Sequence, residues 1–275
     1  MKKVLPLFLI CILICCGAHA QRTEVYNPHI HTVQVIANND YMAPAVIRLG
    51  EGETVEISFD HLTHDYHRYQ YVLTHCNADW TPSDLSETEY LDGFNDNPIE
   101  DHDISVNTTL PYTHYRLTLP NDKVRPKLSG NYRLLVYDDA EGKSKPAFST
   151  CFRILEKEVN ISAQVSSDTE IDRNKNHQQV SFSIQHKGYP IRNPQNEIRV
   201  HVLQDNRTDN EVTNLQPSYV GPDQLRYEHN RALIFPAGNE YRRFEMVSTR
   251  YASQGVESIR YHAPYYHVTL QPDLP

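Results

Sequence analysis

The sequence contains few cysteines, and most of them lie where they cannot stabilise a fold. Three of the five fall within the first twenty positions, which leaves Cys76 and Cys151. Two thiols in so long a chain exclude a disulfide scaffold. In a β-sandwich these residues would lie on the third and the last strand, which are separated by another strand. We therefore expect two free thiols, with a Cys76–Cys151 disulfide as the alternative.

Long apolar runs are also scarce, because the sequence has only one, VLPLFLICILICC, near its N-terminus. Lys2 and Lys3 precede this run, and Ala18 and Ala20 follow it. The pattern predicts a signal peptide over residues 1–20 that is cleaved after Ala20, with an uncleaved anchor as the alternative. No comparable run follows, so we expect the mature, exported chain to contact a membrane only through a partner protein.

Basic residues are in deficit. The sequence has 26 Lys and Arg against 35 Asp and Glu, a formal net charge of −9. Cleavage of the signal peptide would remove Lys2 and Lys3, so that 24 basic residues face 35 acidic ones and the net charge becomes −11. Such a chain repels polyanions, and nucleic acid is therefore not an expected partner.

Helical periodicity is almost absent beyond the N-terminal run. Short alternating or β-branched runs between Gly, Pro, Asn and Asp instead predict antiparallel strands. Tyr132, Leu134 and Val136 alternate along one of them, and Tyr132 follows a Gly as in the tyrosine corner of immunoglobulin-like sandwiches. The predicted strands of the first half are HTVQVIA, TVEISFD, RYQYVLTHC, ISVNTT, YRLTLP, NYRLLVYD and FSTCFRILE.

A polar hinge at Glu156-Lys157-Glu158 is followed by a second set of predicted strands. We predict an all-β fold with two tandem immunoglobulin/fibronectin-like β-sandwich domains, over residues 21–157 and 158–275. The predicted strands of the second domain are VNISAQV, VSFSI, EIRVHV, QLRYEH, ALIF and YRRFEMV.

Signals of catalysis are weak. The chain has no Gly-x-Ser-x-Gly motif, and His75 and Cys76 are neighbours that point to opposite faces of a predicted strand, so His75 cannot activate the thiol. We predict that the protein is not an enzyme and has no cofactor.

Fifteen histidines invite a search for a metal site. The tight groups are His29 with His31, and His61 with His64 and His67. Neither group is completed by further Cys or His at the spacing of a zinc site. We therefore predict no metal, and we expect these to be ordinary surface or loop histidines.

The stretch from residue 79 to residue 103, here called the acidic segment, is crowded with oxygen ligands. Strong turn formers at Asp92-Gly93 and Asn97-Pro98 predict a long, turn-rich connection. A calcium site is the alternative, although the order of residues does not match a helix-flanked calcium loop. Its ligands would come from Asp92, Asn95, Asp96, Asn97, Glu100, Asp101 and Asp103. A carboxylate pair for glycoside hydrolysis cannot be placed from the sequence.

The run NADWTPSDLSETEYLDGFNDNPIEDHDISVNTTLPYTHYRLTLPN, with KLSGNYRLLVYDD, resembles the type IX secretion system plug protein family of Bacteroidota. The pieces NPQNEIRVHVLQDNR, FPAGNEYRRFE and APYYHVTLQPD resemble that family too. The resemblance implies an all-β, non-enzymatic protein of the periplasm, associated with the outer membrane. It also implies a further β region, so we expect the second domain to be incomplete at its C-terminal end.

The resemblance further implies a role and a partner. The family's implied role is to close the periplasmic opening of the very large outer-membrane translocon barrel when no substrate is crossing. We expect the acidic segment to contact this partner through acidic and aromatic side chains. The candidate residues are Asp79, Trp80, Asp84, Tyr90, Asp92, Phe94, Asn95 and Asp96.

An exported carbohydrate-binding or other ligand-binding β-sandwich module is the alternative function. In that case Trp80, with Tyr90 or Tyr112, would stack on sugar rings.

Overall fold

The computed structural model describes residues 23–63, 65–238 and 243–272. The chain divides into two compact units. The first runs to Asn160 and includes Arg199–Thr213, and the second comprises Ile161–Ile198 and the chain from Asn214 onward. The predicted all-β class is confirmed. The immunoglobulin/fibronectin-like pattern and a domain boundary at residue 157 stay predictions, and the predicted signal peptide lies outside the described residues.

The first unit consists of strands and one short helix. In chain order its elements are β1 (Glu24–Val25), β2 (Ile30–Ala37), β3 (Val46–Arg48), β4 (Val55–His61), β5 (Tyr69–Cys76), α1 (Glu87–Tyr90), β6 (Leu91–Gly93), β7 (Asn97–Pro98), β8 (Asp101–Ile104), β9 (Thr113–Leu119), β10 (Val124–Pro126), β11 (Gly130–Asp138) and β12 (Pro146–Leu155).

Two sheets form the body of this unit. One has the order β1-β12-β11-β5-β7, with β3 added parallel to β12. The other has the order β2-β4-β9-β8 and is antiparallel throughout. Strands β6 and β10 form a separate antiparallel pair.

The inward faces of the two sheets share one core. Phe59 of β4 lies with its ring centroid 5.0 Å from that of Tyr115 on β9, 5.1 Å from Tyr69 on β5 and 4.9 Å from Phe148 on β12. All four rings are buried. Since burying one such side chain contributes roughly 2–3 kcal/mol, this aromatic group is a large part of what holds the sheets face to face.

Strand β11 has the inward face that its alternation predicted. Tyr132, Leu134 and Val136 are all buried in the shared core. The Tyr132 hydroxyl donates a hydrogen bond of 2.8 Å to the carbonyl oxygen of Leu128, four residues upstream. This bond satisfies a hydroxyl that would otherwise be costly to bury.

The second unit contains smaller sheets. Its elements are β13 (Asn160–Ser166), β14 (His177–Gln185), α2 (Pro194–Glu197), β15 (Tyr219–Val220), β16 (Gln224–Tyr227), a 3₁₀ turn (Arg231–Leu233), β17 (Ile234–Pro236), β18 (Val256–His262) and β19 (Tyr265–Leu270).

One sheet of this unit has the order β13-β14-β16-β15, with β17 also paired to β14, and β18 and β19 form a hairpin. Phe182 and Tyr227 are cross-strand partners on β14 and β16, and their rings stack at 4.5 Å. Cross-strand aromatic pairs of this kind stabilise a sheet, and they carry the small core here.

Several strand predictions are wrong. Only Ile104 of the predicted strand 104–109 lies in a strand, since β8 covers Asp101–Ile104. The predicted strand 197–202 begins at the end of α2, and beyond it only Val202 pairs, through an isolated bridge to Val212. Residues 243–247 form no strand, and 241 and 242 lie outside the described residues.

Two turn predictions are also wrong. Asp92-Gly93 lies in β6, and Asn97-Pro98 forms β7 at the edge of the larger sheet. The chain bends between these strands, at residues 95 and 96, and Asp96 has a positive φ of 93° there.

Candidate partner-binding surface

The acidic segment begins in a tight loop after β5. Trp80 donates from its backbone to Asn77 at 3.0 Å, and the backbone of Asn77 donates to Thr81 at 2.8 Å. The carboxylate of Asp79 accepts from both the backbone and the hydroxyl of Thr81, at 3.1 and 2.6 Å. These bonds hold Trp80 in a left-handed conformation with a φ of 66°.

The loop turns Trp80 onto the outer face of the larger sheet, where the side chain is only 5 % exposed. There it packs with Cys76 and Cys151, and the Arg153 guanidinium carbon lies 5.3 Å from the ring centroid. The Trp80 carbonyl accepts a 3.2 Å hydrogen bond from Arg133. The Trp80 ring therefore packs against the sheet, and a partner cannot contact it in this conformation.

The two thiols are free, as predicted, and both are buried. Strand β11 lies between β5 and β12. Cys76 and Cys151 are therefore about two strand spacings, or ~10 Å, apart, which is too far for a disulfide. His75 points to the opposite face, where Nδ1 lies 2.9 Å from the Ser83 hydroxyl. Because burial raises the pKa of Cys76, this thiol is poorly suited to nucleophilic chemistry.

Helix α1 places Tyr90 in the core. The Glu89 carboxylate accepts from the Ser86 backbone N–H at 2.7 Å, as in a capping box at a helix start. At the other end Tyr90 is buried, and its hydroxyl donates to the Leu73 carbonyl of β5 at 3.1 Å. Asp84 precedes the helix and is exposed.

Asn95 completes the hydrogen bonding of β5 with its side chain. Its Oδ1 accepts from the Leu73 N–H, and its Nδ2 donates to the Leu73 carbonyl, both at 2.8 Å. Nδ2 also donates to Glu87 at 3.0 Å. The amide thus replaces the backbone of a neighbouring strand.

Asp96 is held by two donors. Lys143 Nζ lies 2.8 Å from one carboxylate oxygen, and the Tyr137 hydroxyl donates to the other. Partial burial raises the pKa of Asp96, but the bonds from Lys143 and Tyr137 outweigh it, so that the pKa is lowered. The pKa of Tyr137 is raised, first by burial and then by this carboxylate.

Asp92 and Phe94 are the exposed members of the central part of the segment. Phe94 is 85 % exposed and stands between β6 and β7, so its ring is a large apolar surface in water. Asp92 pairs through its backbone with Arg125 of β10 and is also exposed.

The other carboxylates of the segment have cationic partners in different places. Arg116 of β9 binds Asp101 at 2.9 Å and Asp103 at 2.6 Å, and these bonds lower the pKa of Asp103. Glu100 pairs with Lys123 at 2.6 Å. These oxygens are not arranged around a common point, and the described residues contain no group of three or more His, Cys, Asp or Glu that could hold a metal.

His61 departs from the expectation of loop histidines. It is the last residue of β4 and is 2 % exposed, with its ring centroid 4.1 Å from that of His67 and 5.9 Å from that of His29. Burial lowers the pKa of His61 to about 4, with further repulsion from His67 and His29. His67 bonds Asp138 at 2.6 Å, and His64 lies outside the described residues.

The eight predicted contact residues therefore form two groups of four. In the first group each side chain is buried or bonded to a distant part of the unit, and in the second each side chain is exposed, although Asp79 also bonds Thr81. A binding role stays a prediction for all eight. Trp80, Tyr90, Asn95 and Asp96 form the first group, and Asp79, Asp84, Asp92 and Phe94 form the second.

Sequence reasoning missed the cations that bind the acidic segment. Arg116 and Lys143 lie on other parts of the chain, and no local pattern connects them to Asp101 or Asp96. The alternation of β9 did signal that Arg116 points outward, between the buried Tyr115 and Leu117.

The chain is thus an all-β protein whose acidic segment combines an internally bonded part with an exposed edge. Residues 30–156 match the family model of the type 9 secretion system plug protein 1st domain. This match confirms, for residues 30–156, the resemblance to the type IX secretion system plug protein family that the sequence predicted. The match associates this part of the chain with the type IX secretion system.

A crystal structure of a hypothetical protein from Parabacteroides merdae is similar over nearly the whole chain. The identity is 48 % and the TM-score 0.78, over 90 % of this chain and 62 % of that one. The chain therefore spans about three fifths of the length of that protein. An alkylpurine DNA glycosylase from Pseudomonas fluorescens, bound to DNA, matches with a TM-score of 0.26 at 13 % identity, over 46 % of this chain and 30 % of that one. A search of curated proteins gave no match.

Each of the two α-helices in the described chain has four residues. Neither approaches the length and hydrophobicity needed to cross a bilayer.

Proposed function

We propose that this protein is a periplasmic plug that closes the periplasmic opening of the outer-membrane translocon barrel of the type IX secretion system. The observation that carries the proposal is the match of residues 30–156 to the plug family's first domain. The protein has no enzymatic role in this proposal, and it reaches the outer membrane only through its partner.

The acidic segment is the surface that we propose for this contact. A plug must present a rigid surface that binds well enough to close a pore and weakly enough to leave it. The bonds of Asn95 to Leu73 and of Asp96 to Lys143 keep the segment in one shape. Preorganisation of this kind lowers the entropy cost of binding.

The exposed group supplies the two kinds of contact that recognition needs. Asp79, Asp84 and Asp92 carry negative charge that would meet basic residues at a pore mouth, which raises the association rate and fixes the register. Phe94 is an exposed aromatic side chain of the type that dominates binding energy once it is buried by a partner.

The sugar-binding alternative is less well supported. Of the rings expected to stack on a sugar, Tyr112 is partly buried, and Trp80 and Tyr90 are only 5 % and 4 % exposed. A sugar ring needs an open aromatic face, and neither residue offers one.

Capture from an outer-membrane extract tests the proposal. The mature chain is immobilised, incubated with detergent extract, washed and analysed by mass spectrometry and for bound polysaccharide. We expect to recover a very large outer-membrane barrel protein. Recovery of polysaccharide without such a barrel would overturn the proposal in favour of the sugar-binding alternative.

Surface variants then test the proposed contact. We expect Phe94→Ser and Asp92→Lys each to reduce capture about tenfold, since central contacts are worth above 1 kcal/mol. Met42→Ser, which removes a side chain that is also 85 % exposed, is the control for the first, and Glu141→Lys is the control for the second. Thermal midpoints should stay within about 2 °C of the parent, because surface substitutions rarely change stability more. Equal loss of capture in the controls would refute the assignment of this surface.

A further inference from the structure

A second feature of the first unit is a cavity of about 450 Å³ on the outer face of the larger sheet. One wall is the sheet itself, and the other comes from the segment Arg199–Thr213, which belongs to the same unit. The residues that matter for its chemistry are Cys76, Asn131, Arg153, Arg199 and His201.

The sheet wall of the cavity is a row of residues on three neighbouring strands. Asn131 of β11 is the partner of Cys76 on β5 and of Arg153 on β12. Because residues paired across strands share a face, all three side chains point outward from the core. Asn131 donates to the Asn77 carbonyl at 2.9 Å, which fixes the loop that carries Trp80 beside this row.

Arg153 in this row has no carboxylate partner. Among the described residues, no carboxylate oxygen lies within 4.0 Å of the Arg153 guanidinium. Its guanidinium carbon instead lies over the face of Trp80, 5.3 Å from the ring centroid. An aromatic face attracts a cation but supplies no counter-charge and no strong acceptor. The acidic group that acts on Arg153 from a distance is Glu211, which is itself bonded to His201 at 2.5 Å.

Unlike Arg153, other arginines of the same unit have carboxylate partners. Arg48 binds Glu51, Arg68 lies 3.8 Å from Asp139, Arg116 binds two aspartates, and Arg125 binds Asp122. The side chains of Arg48, Arg68 and Arg125 are at least half exposed, that of Arg116 is about one third exposed, and each of the four has a carboxylate partner. Arg153 is the partly buried one, and burial lowers its pKa. A cation in that position gains most from an added anion.

The opposite wall adds donors around the same space. Arg199 and His201 both line the cavity, so a group placed before Arg153 also meets their side chains. The Val202–Val212 bridge, with hydrogen bonds of 2.9 Å in both directions, holds His201 in place opposite Glu211. Two guanidinium groups, those of Arg153 and Arg199, therefore line one small cavity.

We propose that this cavity is a binding site for a compact oxyanion on a small molecule, a carboxylate or a phosphate-type group, with Arg153 as its principal partner. A guanidinium offers parallel N–H donors that match two oxygens of such a group. A volume of about 450 Å³ lies within the range of small-molecule sites. The inference does not depend on the proposed plug function.

The single tryptophan makes the site directly observable. Since Trp80 is the only Trp of the chain and contacts Arg153, its fluorescence reports on the surroundings of Arg153 at the edge of this cavity. We would titrate the mature chain with inorganic phosphate, with succinate and, at matched ionic strength, with chloride. A saturable change with phosphate or with succinate supports the proposal, and the more effective of the two identifies the class of oxyanion. A change that chloride reproduces, or no saturable change with either probe, overturns it.

Two substitutions of Arg153 and a matched control complete the test. Isothermal titration calorimetry with the effective probe avoids any shift of the Trp80 signal in the variants. We expect Arg153→Met to weaken binding at least tenfold and Arg153→Lys, which keeps the charge, to weaken it less. Arg68→Met removes one positive charge elsewhere on the unit and should leave binding unchanged. Unchanged binding in folded Arg153→Lys and Arg153→Met, or equal weakening in Arg68→Met, would contradict the proposal.

Discussion

Asn95 illustrates at the scale of a single residue why the acidic segment has a defined shape. Its amide bonds both backbone groups of Leu73, and the same nitrogen reaches Glu87. A carboxylate in this place would keep the acceptor but lose both donated bonds. It would also bring a negative charge next to the Leu73 carbonyl and Glu87.

We therefore expect Asn95→Asp to lower the free energy of unfolding by about 2 kcal/mol, the order of a buried hydrogen bond lost with its partner left unpaired. Urea unfolding at pH 7 measures this difference. Asp84→Asn, which changes an exposed side chain of the same segment, is the control and should alter stability by less than about 0.5 kcal/mol. A stable Asn95→Asp variant would mean that Asn95 does not hold the segment to β5.

His61 is the residue with the largest consequence for pH. Its Nδ1 has no hydrogen-bond partner, and its ring is enclosed by His67 and Tyr69. The unfolded chain takes up a proton at this side chain near pH 6.5, whereas the folded chain resists it until about pH 4. The free energy of unfolding should thus fall as the pH is lowered from about 6.5 to about 4, and this contribution is fully present above pH 6.5.

We expect this loss to be at most about 3 kcal/mol and to be absent in His61→Phe. Urea unfolding at pH 4.5, 5.5 and 7 gives the slope. His31→Gln, at an exposed position on the neighbouring strand, should keep the parent slope. If His61→Phe retains the same dependence, His61 is not its source.

At the scale of elements, the pair β6–β10 fixes the acidic segment at its centre. Gly93 lies opposite Val124 with a positive φ of 97°. A Cβ at this position would lie 2.1 Å from the Lys123 carbonyl oxygen, which belongs to the backbone and cannot easily move. Gly142 has a similar φ of 77°, but nothing lies within 4 Å of its Cβ position.

The comparison of Gly93→Ala with Gly142→Ala separates backbone strain from steric overlap. We expect Gly142→Ala to cost about 1 kcal/mol, from the left-handed conformation alone. Gly93→Ala should cost about 2 kcal/mol more, because the β6–β10 pair must open. Thermal unfolding of both variants measures the difference, and equal losses would show that the pair tolerates the added methyl group.

The strands that could be predicted were those in which apolar and polar side chains alternate. The inward row of β11 is one example, and the runs of β4 and β5 are others, because their apolar residues face a core. Strand β8 could not be predicted, since Asp101 and Asp103 point to Arg116 and carry no apolar pattern. The hairpin β18–β19 was missed as well.

In the acidic segment, too, the local sequence pattern was not enough to predict the structure. Its composition predicted turns, because Asp-Gly and Asn-Pro are strong turn formers. Pairing with distant strands overrode that local preference and placed Gly93 in β6 and Pro98 in β7. The sequence also did not indicate that Trp80 is buried and Phe94 exposed, since both are aromatic residues next to polar ones. The left-handed conformation of Trp80, which turns its ring onto the outer face of the larger sheet, has no signature in the sequence.

At the scale of the whole molecule, the acidic charge bears on how the protein would meet its partner. With a net charge of −9, association with a basic pore mouth would be steered over about a Debye length, which is ~10 Å at 0.1 M salt. Capture by the translocon should accordingly become slower at higher ionic strength, and the exposed carboxylates of the acidic segment should carry part of that dependence.

Photo-crosslinking in living cells tests most directly the claim that the acidic segment contacts the translocon barrel. Phe94 is replaced by p-benzoylphenylalanine, which keeps an aromatic side chain at an exposed position, and Met42 is replaced likewise as a control on the same unit. After irradiation, the adducts are purified and identified by mass spectrometry. The account predicts adducts of the residue-94 variant with a very large outer-membrane barrel protein, and few or none from residue 42. Adducts at residue 94 with other proteins only, or none at all while the chain is folded and exported, would contradict it.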